Sequence, residues 1–134
     1  MFDGFIKTAA VTPKIKVADC IHNAAAICNG IDEAVAAGAK LIVFPELCMT
    51  GYTCEDLFWQ ETLLDGARQG LHQVIFHSRG KDALIFVGLP WEKDGKLYNA
   101  AAAVCSGRLL GIIPKSCLPN YNEFYEARHF EPGC

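Results

Sequence analysis

The sequence contains no apolar run that approaches the roughly 20 residues a membrane-spanning helix requires, so no membrane partner is expected. Its start, "MFDGFIKTAAVTPK", lacks the basic opening and long apolar stretch of a secretory leader. Basic residues are few and scattered, 12 Lys and Arg against 15 Asp and Glu, for a net charge of −3. Without a basic face there is little to neutralise a phosphate backbone, which argues against nucleic acid as a partner. No CxxC pair occurs, and none of the four histidines stands at a ligand-like spacing from another ligand, so no metal site is expected. A Gly-rich phosphate loop, internal repeats, linkers and low-complexity segments are also missing, so no nucleotide site is expected in these residues. These absences leave the cytoplasm as the expected location.

What is present describes an ordinary globular domain. The chain is 51% hydrophobic and 20% charged, and its 134 residues suffice for one domain that buries roughly two-thirds of its surface. Seven cysteines stand at 20, 28, 48, 54, 105, 117 and 134. Their odd number and irregular spacing, with no leader, favour reduced thiols, most of them acting as small buried hydrophobes.

Residues 5–13, "FIKTAAVTP", read as a short strand ended by Pro13. Val17, Ile21, Ala24, Cys28, Ile31 and Val35 then recur at spacings of 4 and 3, one stripe of a helix that "AAGAK" stops. The continuous apolar run "LIVFP" (41–45) suits a strand covered on both faces, and strand–helix–strand makes a right-handed βαβ unit. A second helix is predicted over 60–78, with Leu64, Ala67, Leu71, Val74 and Ile75 on its apolar face and Gly70 weakening its middle. "ALIFVGLP" (83–90) is a further strand. Asp94-Gly95 and Ser106-Gly107 mark the turns of a meander whose next strands cover about 97–105 and 108–114. The remaining tail, rich in Pro, Asn and aromatics, reads as loop. The class is α/β, a mixed sheet covered by two helices.

Two charges stand where strands give way to loops, Glu46 after "LIVFP" and Lys115 after "LLGIIP". Ligands collect outside the strand ends of α/β sheets. A carboxylate and an ammonium placed there can tune each other for proton transfer or oxyanion stabilisation. They can equally form a structural ion pair or be two solvated loop charges, and position alone leaves these alternatives open.

The segment "FPELCMTGY" resembles the glutamate motif of the nitrilase, or carbon–nitrogen hydrolase, superfamily, and "GIIPKSCLPNYNEFYEARHFEPG" resembles its lysine motif. Within that superfamily, "GYTCEDLF" with "LPNYNEFYEARHF" is most similar to the glutaminase domains of glutamine-dependent NAD synthetases. The two motifs lie about 70 residues apart, and the likeness runs over essentially the whole chain. The resemblance implies that residues 1–134 are part of such a domain, the N-terminal half of an αββα sandwich. It implies Glu46 as general base and Lys115 as oxyanion partner, with a second carboxylate that orients the lysine, Glu123 or Glu126, Glu123 being preferred. Tyr52, Tyr121 and Phe124 would line a pocket for the amide substrate, glutamine. Ammonia would pass to a synthetase domain that uses ATP and Mg, and the assembly is expected to be a homo-oligomer.

One member of the family's triad is missing from the pattern. The resemblance places the nucleophilic cysteine after a further strand that follows the lysine loop, beyond Cys134. Cys48 and Cys54 match non-catalytic motif positions, and Cys117 lies in the lysine loop itself. The chain alone is therefore expected to be inactive, and without its second sheet it should expose an apolar sheet face. Two other readings compete, a free-standing amidase acting on another small amide and a degenerate relative that binds a ligand or partner without turnover.

Overall fold

The computed structural model describes residues 3–134; Met1 and Phe2, which open the segment read for a leader, lie outside the described residues. Five strands form one sheet in chain order: β1 (Thr8–Ala10), β2 (Leu41–Val43), β3 (Leu84–Lys93), β4 (Lys96–Cys105) and β5 (Arg108–Pro114). β1, β2 and β3 pair in parallel, whereas β3, β4 and β5 form an antiparallel meander. Two helices of 17 residues each, α1 (Cys20–Ala36) and α2 (Glu61–His77), make the crossovers between the parallel strands. The mixed sheet with two helices is the α/β architecture expected from the sequence.

Local chemistry explains the boundaries. Asp19 caps α1, its carboxylate accepting the His22 backbone N–H at 3.0 Å. At the hairpin tips, Asp94 and Gly95 have φ of 52° and 74°, and Ser106 and Gly107 have 46° and 79°. Positive φ at both central residues is the two-residue turn that matches strand twist. The helix α2 runs unbroken through Gly70. A Cβ there would lie 3.2 Å from Met49 Cε and 3.4 Å from Ala24 Cβ, so its absence lets α2 pack closely on α1.

The core lies between the helices and one face of the sheet, where Ile42, Ile85, Val87, Leu89, Ala102 and Val104 are fully buried. The other face is open. Val43 is 43% exposed and Ile113 51%, so β2 is not covered on both faces as its apolar run suggested. Among the described residues no second layer packs there. The stripe predicted for α1 holds at Ala24, Cys28 and Ile31, which are buried, but not at its start, where Val17 precedes the helix and Ile21 is 82% exposed. Cys20, Asn23, Ile27 and Gly30 widen the buried face. Asn23 goes inside because its amide donates to the carbonyls of Lys16 and Met49 and its oxygen accepts the Lys16 N–H. Strand β1 is shorter than the predicted 5–13. Short 3₁₀ turns at Glu55–Trp59 and Glu126–Arg128 occupy segments to which the sequence assigned no element.

Candidate active site

Glu46 is placed by a tight turn at the end of β2. Phe44 N–H still bonds the Phe86 carbonyl at 2.9 Å, and Pro45 then turns the chain away from the ladder. The turn is held by Met49 N–H on the Gly88 carbonyl at 3.1 Å and by Cys48 N–H on the Pro45 carbonyl at 3.3 Å. Leu47, fully buried, takes a left-handed φ of 52°, a strained conformation that packing must enforce. Gly88 makes this possible, because a Cβ there would sit 2.5 Å from the Pro45 oxygen and 2.9 Å from the Glu46 carbonyl carbon.

Lys115 follows β5. Its N–H bonds the Asn99 carbonyl at 2.8 Å, and its own carbonyl accepts the Gly133 N–H at 2.9 Å, so its backbone is held between β4 and the tail. The tail is anchored in turn. Glu131 N–H bonds the Leu97 carbonyl at 2.8 Å, Glu126 N–H bonds that of Pro119, and the Asn120 side chain accepts the Ala127 N–H. Arg128 clamps Asp56 through two nitrogens at 3.0 and 3.1 Å. That clamp ties the tail to the 3₁₀ turn at Glu55–Trp59, and it holds the Asp56 carboxyl below its usual range.

These supports bring two carboxylates onto one ammonium and two neutral donors onto the carboxylates. Lys115 Nζ donates to Glu46 Oε1 at 2.6 Å and to Glu126 Oε1 at 3.0 Å. The Asn99 amide donates to the same two carboxylates, to Glu46 Oε1 at 2.6 Å and Glu126 Oε2 at 3.3 Å. Tyr52 O–H completes the set on Glu126 Oε1 at 2.9 Å. Glu126 is only 5% exposed, so it needs the three donors to offset the loss of water around its charge. Burial pulls the Lys115 pKa down, but the hydrogen bonds and charges of Glu46 and Glu126 outweigh it and leave the ammonium harder to deprotonate than usual. Burial, then the bond to Glu126, raises the Tyr52 pKa and keeps the phenol protonated.

Of the predicted site residues, Glu46, Lys115 and Tyr52 meet. Glu123 does not: it is exposed and makes no hydrogen bond to Lys115, and the carboxylate on the ammonium is Glu126. Phe124 stacks edge-on between Tyr52 at 6.3 Å and Tyr121 at 5.8 Å, beside a cleft of about 420 Å³ that Glu126 also lines. Tyr121 is 64% exposed at the outer end of this aromatic row. Asn99 was missed. Its signal was a lone amide at the head of "NAAAAV", in a strand otherwise apolar beyond that point.

Glu46 Oε2 carries no hydrogen bond among the described residues, and Glu46 and Lys115 border a concavity over the open sheet face. The arrangement offers a carboxylate oxygen able to take a proton next to a fixed positive charge. All seven cysteines are free, and none has its sulfur on Glu46 or Lys115 among the described hydrogen bonds. The nearest in sequence, Cys48, is buried with its thiol on the Gly88 carbonyl, and burial pushes its pKa up to about 11. A concavity of about 790 Å³ between residues 17–21 and α2 shares no lining residue with this cluster, and its carboxylates already serve as the α1 cap and the partner of Arg68.

A family model described as carbon-nitrogen hydrolase matches residues 7–134. The glutamine-dependent NAD(+) synthetase of Mycobacterium tuberculosis (strain ATCC 25618 / H37Rv) is 38% identical over 130 residues, which is 97% of this chain and 19% of that protein. The crystal structure of a glutamine-dependent NAD(+) synthetase from Cytophaga hutchinsonii superposes with a TM-score of 0.89 at 30% identity, covering 95% of this chain and 22% of that one. An amidase from Nesterenkonia sp. gives a TM-score of 0.75 over 97% of this chain and 51% of that one; at 23% identity it speaks for the fold alone. The chain spans about a fifth of the length of the curated relatives it matches.

Proposed function

The chain belongs to the carbon–nitrogen hydrolase family, and from that premise we propose that it forms part of a glutaminase that hydrolyses the side-chain amide of glutamine to supply ammonia for NAD synthesis. The observation that carries this reading is the Lys115 ammonium held between Glu46 and Glu126 at the mouth of the open sheet face. A cysteine thiolate supplied by chain beyond Cys134 attacks the amide carbon. Glu46 takes the thiol proton, returns it to the departing ammonia, and then activates the water that cleaves the thioester. Lys115 stabilises the negative oxygen of each tetrahedral intermediate. Glu126 holds that ammonium in place, and Tyr52, Phe124 and Tyr121 form the wall along which glutamine enters.

On this reading residues 1–134 are a portion of the glutaminase domain. The ATP and Mg chemistry belongs to a separate synthetase domain, the enzyme works in the cytoplasm as a homo-oligomer, and the isolated chain is inactive. The first measurement is the coding sequence past Cys134. The second is ammonia release from glutamine by the chain alone and by the product extended through the next strand and its cysteine. The chain alone is expected at background. The extended product should turn over glutamine and lose at least about 10³-fold in kcat as Glu46→Ala or Lys115→Ala. Turnover that survives Glu46→Ala refutes the mechanism. A stop codon after Cys134 ends the catalytic reading and leaves glutamine binding as the next assay.

A further inference from the structure

We propose that Asn99 is a positioning residue for this reaction, a neutral double donor that fixes Glu46 relative to Lys115 and Glu126; the inference rests on the glutaminase reading above. Asn99 lies on the sheet face that β4 otherwise lines with Ala101 and Ala103, yet it is almost fully buried. A buried amide in such a strand is unfavourable unless its donors are used. Both are used: one N–H goes to Glu46 Oε1 and the other to Glu126 Oε2. Two carboxylate acceptors also decide which end of the amide points at them. The Asn99 carbonyl meanwhile accepts the Lys115 backbone N–H at 2.8 Å. One residue therefore sets the lysine through its main chain and both of the lysine's carboxylate partners through its side chain.

The charge of the donor matters. The groups facing the amide are Glu46 from the turn after β2, Lys115 after β5 and Glu126 from the second 3₁₀ turn, with Tyr52 behind Glu126. Lys115 alone supplies one positive charge to two carboxylates. A second cation at position 99 would complete the neutralisation and draw basicity out of Glu46, which must accept a proton in each half-reaction. An apolar residue would leave Glu46 Oε1 held by the lysine alone, free to swing away from the thiol. The amide aligns the base without titrating.

The test uses the glutamine-hydrolysing product with Asn99→Ser, which replaces the two amide N–H donors by one shorter hydroxyl that cannot span both carboxylates, and Asn99→Asp, which keeps the size and adds charge. Asn99→Ser is expected to lower kcat for ammonia release by about 10- to 100-fold while KM for glutamine stays within about twofold. Asn99→Asp is expected to move the acid limb of the pH–rate profile upward by about one pH unit or more, because a third carboxylate makes proton uptake by the pair easier. A kcat loss that only tracks the folded fraction by circular dichroism, with an unmoved acid limb in Asn99→Asp, overturns the proposal. A separate measurement on the 134-residue chain needs no activity. Both side-chain amide protons of Asn99 should shift together in NMR spectra as the carboxylates are titrated, and Glu126→Gln should uncouple one of them. Absence of that coupling overturns the positioning role. Its presence, together with an extended product that releases no ammonia, supports the alignment of the two carboxylates by Asn99 and rejects the glutaminase reading instead.

Discussion

Gly88→Ala isolates the contact that places the Glu46 carboxylate. The added methyl would meet the Pro45 oxygen at 2.5 Å and the Glu46 carbonyl carbon at 2.9 Å, against the roughly 3.5–4.0 Å of ordinary contact. Both neighbours are backbone atoms, so no rotamer change relieves the overlap and the turn must retreat by about 1 Å. Overpacking of this kind costs about 1–3 kcal/mol. Weakening the Met49 N–H bond to the Gly88 carbonyl adds about 1 kcal/mol. A loss of roughly 2–4 kcal/mol lowers Tm by roughly 8–16 °C in a domain of this size. The control is Gly111→Ala in β5, where an added Cβ has no heavy atom within 4 Å and φ is not positive. It should be neutral or slightly stabilising. Urea unfolding followed by circular dichroism measures both. Equal midpoints for the two variants would refute the reasoning. In the glutamine-hydrolysing product, the same 1 Å retreat of Glu46 is expected to lower kcat by about 10²-fold.

Thiol labelling of the native chain at pH 8 should modify Cys117 and Cys134 rapidly. Cys20, Cys28, Cys48 and Cys54 should wait for denaturant, since all four are buried and burial pushes Cys20 and Cys48 up to about 11. Tyr52→Phe removes one of three donors from buried Glu126 and should cost about 1–2 kcal/mol in urea unfolding, while Tyr121→Phe at the exposed end of the row should cost almost nothing. The Asp56 carboxyl is depressed by Arg128, so the stability it lends is present above the ordinary carboxylate range and disappears as pH falls through its lowered native value. Wild type and Asp56→Asn should thus differ in Tm at pH 7 and converge as pH falls below the ordinary carboxylate range. The open sheet face predicts self-association of the isolated chain, and Ile113→Lys should raise the monomer fraction in light scattering.

Much of the fold was legible because periodicity and turn chemistry report local preference. The α2 stripe and the two Gly-containing turns appeared where their patterns placed them. The α1 stripe held at Ala24, Cys28 and Ile31 but missed Asn23, since a pattern of apolar residues cannot register a polar side chain whose burial depends on three backbone groups supplied by Lys16 and Met49. The misreading of β2 has another cause. "LIVFP" is apolar on both faces, but composition records only that a strand can be covered, and the layer that would cover Val43 is not among the described residues.

The site shows the same division. Glu46 and Lys115 were visible because strand ends are where an α/β sheet exposes chemistry, and the motif resemblance selected them. The choice between Glu123 and Glu126 could not be made from spacing, since a segment read as loop fixes the direction of neither side chain. Tertiary bonds decide it. Pro119 and Asn120 fix the start of the second 3₁₀ turn, Arg128 pins its end to Asp56, and Glu126 is the carboxylate left pointing at the ammonium. Asn99 was invisible for a related reason. Its amide gains meaning only once β4 lies between the turn after β2 and the loop after β5, an adjacency set by strand order. The chain thus carries its charged chemistry in motifs and its neutral alignment in topology, and a sequence reading reaches the first more readily than the second.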